Sequence, residues 1–368
     1  MGKKVLNEVF LLRSIACLCI VLLHSITRMY TDESGVISYW KLFLAYGTPS
    51  FVFISELLLA YAYPRTTPQG FLLKRMQFIL IPYLCFGLLE AAIDSVKPVM
   101  SGDWLAFVET AAFYLLLGEV PGYFILVIFQ FYLLHLFFQK YVFPRFKPFL
   151  VLMAAFLINT IYLAFFNFTD PVPTAVGEYI WDRFYRLPFL GWIFYFVLAY
   201  YCGTRLEKLY GMLRKYRWGL TGALLASAGL LAVNNYFNVI EAISSKRVDM
   251  VLFTSVAVLW LLYVASRLKS IPSIFIKISQ YSFGIYLVHQ LVFLVLYVFL
   301  KRVPWLLENP VGVIVLFAMG LPLSMLTVYL VNRMPFGAYV IGRIGIGKEG
   351  RQTKSAHASI PPRAKNIS

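Results

Sequence analysis

The chain has 368 residues, of which 60% are hydrophobic and only 14% charged, with a mean hydropathy of +0.75. Soluble globular domains carry about 25% charged residues, which excludes that class, and continuous apolar runs without period-two alternation exclude a membrane β-barrel. The formal charge of +16 does not point to nucleic acid, because the basic residues fall between apolar runs, as membrane topology requires.

About 20 apolar residues cross roughly 30 Å of hydrocarbon. Runs of that kind predict spans near 8–29, 41–63, 76–96, 121–138, 148–167, 188–204, 218–237, 249–266, 279–299 and 309–332. The expected fold is therefore an all-α polytopic membrane protein of about ten transmembrane helices. The first run does not end in a small-residue cleavage site, so it reads as a retained span rather than a signal peptide. Segment 97–120, with AFVETAAFYLLLG, reads as a re-entrant or interfacial helix. The four cysteines, Cys17, Cys19, Cys85 and Cys202, lie in or at the ends of apolar runs without metal-ligand spacing, so no metal is expected.

Most of the 33 lysines and arginines fall in MGKK, PRTTPQGFLLKR, QKYVFPRFK, RLEKLYGMLRKYR, RLKSIPSIFIK and the tail. That asymmetry places both termini in the cytoplasm of a cell membrane. Residues 1–332 form the membrane domain, and 333–368 read as a basic, mobile cytoplasmic tail.

The first span, LLRSIACLCIVLLHS at 11–25, contains Arg13 and His24. Eleven positions at 100° each leave the two side chains about 20° apart around the helix and about 16 Å apart along it. They share one face at two depths. A snorkelling arginine and a packing histidine are the bland alternative. The functional reading is a base at His24, since a neutral imidazole can take a proton from a hydroxyl. Glu56 falls near the depth of Arg13 and Glu90 near that of His24, so pairing of Glu56 with Arg13 and orientation of His24 by Glu90 are expectations. His289 falls near mid-membrane, His135 reads as interfacial, and His357 lies in the tail without context.

Four segments together resemble the acyltransferase-3 family of integral membrane acyltransferases, of the glycan O-acyltransferase type. They are the arginine and histidine flanking SIACLCIVLL, TPSFVFISELLLAY at 48–61, FLLKRMQFILIPYL at 71–84 with Pro82, and ISQYSFGIYLVHQ at 278–290. Their order covers 8–332. Glu56 departs from the pattern, standing where the family has a glycine. The resemblance implies cytoplasmic acyl-CoA as co-substrate, with no tightly bound cofactor, and a hydroxyl of an extracytoplasmic or cell-surface glycan or lipid-linked saccharide as acceptor. It implies His24 as general base, with Glu90 and His289 orienting or supplementing it. Arg13, Lys74 and Arg75 are candidates to hold the donor's phosphates. On the outer face, GEYIWDRFYRLPFLGW at 177–192 offers Trp181, Asp182, Arg183, Tyr185 and Arg186 to the acceptor, although such residues also anchor proteins at membrane interfaces. Acetyl is the expected acyl group and succinyl the alternative. A second cation facing the thioester end would favour the dicarboxylate. A transporter or exporter of a glycan or its precursor is the competing class. The lipid bilayer is an expected partner, a second copy of the chain a candidate one, and nucleic acid is not expected.

Overall fold

A computed structural model describes residues 7–31, 35–119 and 121–345. Every regular element among them is helical. In chain order the principal helices are α1 (Asn7–Met29), α2 (Gly35–Leu44), α3 (Gly47–Ala62), α4 (Phe71–Asp94), α5 (Trp104–Leu117), α6 (Phe124–Tyr141) and α7 (Pro148–Phe168). They continue with α8 (Ala175–Asp182), α9 (Ile193–Thr204), α10 (Leu206–Lys215), α11 (Arg217–Tyr236), α12 (Met250–Arg267), α13 (Ser273–Leu300), α14 (Val311–Asn332) and α15 (Gly337–Val340).

Among the described residues, eight helical stretches are long and apolar enough to cross a membrane: α1, α2 with α3, α4, α6, α7, α12, α13 and α14. The chain is a multi-pass membrane protein. Three expected spans take other forms. The second bends between α2 and α3, and the sixth shortens to the 12 residues of α9 after 3₁₀ turns at Phe184–Arg186 and Phe189–Gly191. At the seventh, glycine, serine, threonine and paired asparagines dilute the apolar run of α11. Segment 97–120 holds the short apolar helix α5, whose N-cap Asp103 accepts from the backbone N–H of Ala106 at 3.1 Å.

α1 is the central helix, in contact with α2, α3, α12, α13 and α14. Its buried residues include Ser14, Ala16, Cys17 and Ser25 beside larger aliphatics. Small side chains let helices approach closely in a bilayer, where packing rather than the hydrophobic effect drives association. α3 and α9 meet in the same way: a Cβ on Gly203 would lie 2.5 Å from the Leu57 carbonyl oxygen. α4 carries a π-turn at Met76–Leu80, immediately after Lys74 and Arg75. Such turns are frequent near functional sites. Beyond α14 the chain turns back, and Ile341 is buried with Tyr83 and Phe86 of α4. The tail beyond residue 345, with His357, lies outside the described residues.

Candidate active site

The three helical turns that place Arg13 and His24 on one face of α1 direct that face toward α13. Arg13 Nε donates to Ser282 Oγ at 2.7 Å. Two helical turns further along α13, His289 meets His24 edge to edge, with His24 Nδ1 and His289 Nε2 2.6 Å apart and the two ring planes within 7° of parallel. α1 and α13 run side by side in the same direction, so the arginine and then the histidine of one meet the serine and then the histidine of the other.

The hydrogen-bond chain fixes the tautomers. His289 Nδ1 lies 2.9 Å from the Ile285 carbonyl oxygen, which can only accept, so Nδ1 carries the proton. In the neutral ring, Nε2 of His289 is then an acceptor, and Nδ1 of His24 must donate to it. That leaves Nε2 of His24 with a free lone pair. His289 is fully buried, whereas His24 keeps part of its surface accessible. A buried histidine orienting an accessible one is the arrangement a general base requires.

Glu90 does not take this role. Its helix, α4, packs against α5, and the carboxyl lies within electrostatic reach of Asp94, Tyr83 and Tyr286. Tyr286 in turn lies with its ring centroid 6.2 Å from that of His289.

At the Asn7 end, Arg75 lies within electrostatic reach of Arg13, its guanidinium 5.2 Å from the ring centroids of Phe71 and Tyr132. Lys74, on the other side of the same turn, is exposed. Glu56 does not pair with Arg13. His135 donates from Nδ1 to Glu56 Oε1 at 2.8 Å, and both side chains are almost wholly buried. His135, read from the sequence as interfacial, is packed inside the bundle, where α6 meets α3 and brings the imidazole opposite the carboxylate. Glu56 Oε2 and His135 Nε2 have no hydrogen-bond partner among the described residues.

Between the Arg13 and His24 levels lies a void of about 10 Å³, lined by Cys17, Ile20, Val21, Phe51, Ser282, Ile285 and Tyr286. It has room for about one water. A larger hollow of about 550 Å³ opens beside Tyr281, with Lys277 and Arg333 on its wall.

At the Met29 end, segment 177–192 divides. Trp181 donates to the Thr169 carbonyl oxygen at 2.7 Å and packs its ring on Phe165 and Phe166, an anchor to the end of α7. Asp182 and Arg183 form an exposed pair at 2.9 Å. Tyr185 hydrogen-bonds Ser244 and Arg186 lies 4.9 Å from the Tyr123 ring centroid, so these two face the loop between α11 and α12. Sequence reasoning missed that loop. Its Lys246 donates to the Tyr123 hydroxyl, lies 5.3 Å from the Trp192 ring centroid, and acts electrostatically on His24. The available signal was a Lys–Arg pair in a connection expected on the side where cations are depleted.

The acyltransferase-3 family model, described as an acyltransferase domain, matches residues 6–329. A Bacillus subtilis (strain 168) protein named "Putative membrane-bound acyltransferase YfiQ" is 36% identical over 357 residues, covering 95% of this chain and 97% of that protein. A Staphylococcus epidermidis protein named "Probable poly-beta-1,6-N-acetyl-D-glucosamine export protein" is 30% identical over 304 residues, 79% of this chain and 82% of its own. A protein of the same name from Staphylococcus aureus (strain Mu50 / ATCC 700699) is 29% identical over 301 residues, 79% and 83% of the two chains. No solved structure matches the chain. The family model spans nearly the whole helical bundle, including both α1 and α13, and the chain belongs to the acyltransferase-3 family of membrane acyltransferases.

Proposed function

We propose that the chain moves an acyl group from cytoplasmic acyl-CoA to a hydroxyl of an extracytoplasmic glycan, with His24 as general base. The observation that carries this reading is the free lone pair on His24 Nε2, held by the hydrogen-bond chain through His289 to Ile285. Both termini are taken as cytoplasmic, which puts Arg13 and Arg75 near the inner face and His24 near the outer one. The acceptor hydroxyl gives its proton to His24 Nε2 as its oxygen attacks the thioester carbonyl. The tetrahedral intermediate then collapses, the C–S bond breaks, and the imidazolium returns the proton to the departing thiolate. Arg13 and Arg75 offer two guanidinium groups to the donor's phosphates, and Arg13 has no carboxylate partner in an ion pair among the described residues. Lys74, exposed at the same turn, would meet those phosphates only outside the bundle. Glu56, bonded to His135 rather than to Arg13, leaves the arginines free for them. Acetyl is the proposed group, with succinyl the alternative. A glucosamine polymer is the proposed acceptor class, on the strength of the staphylococcal relatives' names.

The same names favour a second reading, export of the polymer. One experiment separates the two. Purified protein in lipid nanodiscs is given acetyl-CoA and a β-1,6-linked N-acetylglucosamine oligomer. Coenzyme A release and an ester on the oligomer by mass spectrometry, both lost in His24→Ala, support transfer. Absence of both, with polymer accumulating inside cells that lack the gene, would make export the better reading.

A further inference from the structure

The loop between α11 and α12 is built around one inward-turned cation. Asn167 of α7 holds the loop immediately after Lys246, donating to the Lys246 carbonyl oxygen at 3.2 Å and accepting from the Val248 N–H at 2.8 Å. The next residue, Arg247, is fully buried and bonds Asp249 through two nitrogens, at 3.0 and 2.7 Å, and the Ile240 carbonyl oxygen at 3.0 Å. Asn234 donates to the same Asp249 at 3.0 Å. Arg247 is thus neutralised and structural. Lys246 is not. Its ammonium meets the Tyr123 hydroxyl and the faces of Tyr123 and Trp192, while Arg186 stands on the Tyr123 ring. Among the described residues neither Lys246 nor Arg186 forms an ion pair with a carboxylate. A lysine within electrostatic reach of His24, backed by Arg186 on the Tyr123 ring and without a carboxylate partner, forms a site prepared for negative charge.

Resting on the acyl-transfer reading, we infer that Lys246 is a catalytic residue of the reaction at His24, stabilising with the Tyr123 hydroxyl the oxyanion formed when the thioester carbonyl is attacked. The Lys246 ammonium donates to the Tyr123 oxygen, so the tyrosine's own proton remains to be donated. A lysine and a tyrosine hydroxyl then converge from the outer side on the carbonyl that the donor's arm brings from the inner side. Negative charge develops on the carbonyl oxygen while His24 becomes positive, and the lysine opposes the second change while favouring the first. A rigid loop that holds the ammonium in advance costs no reorganisation at the moment of reaction, which is why fixed donors of this kind are effective.

Burial first, and Arg186 second, bring Lys246 from the ordinary lysine value down to about 7. Tyr123 and Trp192 face it directly, Arg186 and His24 lie within electrostatic reach, and Tyr185, bonded to Ser244, lies within reach of Tyr123 and Arg186. The charge is present below that pH and lost above it, so kcat/KM, which reports the free enzyme, falls on the alkaline side of about 7. Arginine at this position keeps its charge throughout.

The test uses the full chain in nanodiscs, with wild type, Lys246→Gln, Lys246→Arg and His24→Ala compared for coenzyme A release from acetyl-CoA and from succinyl-CoA. Folding is checked by gel filtration and thermal unfolding. Loss of one oxyanion donor lowers kcat by about 10²–10³. Lys246→Gln is expected to show that loss with both donors and little change in KM. Lys246→Arg is expected to recover part of it and to move the alkaline limb upward. Normal turnover in folded Lys246→Gln would overturn the inference. So would a defect in KM alone, or a defect confined to succinyl-CoA, which would mark Lys246 as a reader of the donor's carboxylate. If wild type releases no coenzyme A that His24→Ala abolishes, the acyl-transfer reading itself fails and takes this inference with it.

Discussion

Replacing His289 by alanine removes the acceptor that fixes the proton of His24. Its Nδ1–H loses a 2.6 Å hydrogen bond, and the ring becomes free to rotate or to place the proton on Nε2, where it is useless as a base. The loss is largest in the transition state. Once His24 has taken the acceptor's proton, the bond to His289 becomes charge-assisted, and such bonds contribute about 1.5–3 kcal/mol. At 1.36 kcal/mol per tenfold in rate, that predicts a fall in kcat of about 10- to 150-fold for His289→Ala. Removing the base itself in His24→Ala costs about 10²–10⁴. Because the two rings act as a unit, the double variant should be no slower than His24→Ala alone. His289→Gln, whose amide oxygen can accept from His24 Nδ1, should recover part of the loss. The assay is single-turnover acyl transfer by nanodisc-embedded protein at saturating acetyl-CoA. Independent, multiplying effects of the two histidines would refute the dyad, and so would an alanine variant at position 289 with normal turnover.

Three further outcomes follow from the packing. Arg13→Ala should weaken acyl-CoA binding about 10- to 150-fold, the range of one charge-assisted bond, and Arg13→Lys by less. Unchanged affinity in equilibrium binding would leave Arg13 as no more than a partner of Ser282. Glu56→Ala strands a buried imidazole and should destabilise the protein by about 1–3 kcal/mol, whereas the isosteric apolar pair Glu56→Leu with His135→Phe should recover most of it. Equal thermal unfolding temperatures for wild type and Glu56→Ala would contradict this. Gly203→Ala drives a methyl against the Leu57 carbonyl oxygen at the α3–α9 contact, an overpacking cost of about 1–3 kcal/mol, while Gly222→Ala, with open space around it, serves as a neutral control in the same melt.

The membrane bundle was legible because apolar runs of spanning length are the strongest signal a sequence carries. The pairing of Arg13 with His24 was legible because both lie on one helix, where spacing determines face and depth. Partners on other helices were not. Depth matching suggested Glu56 for Arg13 and Glu90 for His24, yet depth is one coordinate of three. α6 supplies His135 to Glu56, and α13 supplies both Ser282 and His289. His289 was picked out as a mid-membrane histidine, but its bond to the Ile285 carbonyl, which decides the tautomer of both rings, depends on a rotamer that no sequence pattern encodes. Lys246 was missed for a different reason: loops fold back according to tertiary contacts such as those of Asn167, and hydropathy treats every loop cation as solvated.

The arrangement also weighs on the choice between transfer and export. Arg13 and His24 lie on one helix, and the void between their levels measures about 10 Å³, lined by Cys17, Ile20 and Val21 of α1 with Phe51, Ser282, Ile285 and Tyr286. A saccharide chain is several atoms wide at every ring, and each hydroxyl needs a hydrogen-bond partner along the way. Passing it here would require α1 to separate from α3 and α13, the neighbours that supply Gly47, Ser282 and His289. A pantetheine arm is a single unbranched chain for most of its length, far narrower than a saccharide ring. The geometry therefore suits a thioester delivered from one face to a hydroxyl waiting at the other. On the acyl-transfer reading only the thioester end has to pass between these side chains, whereas on the export reading the whole polymer does.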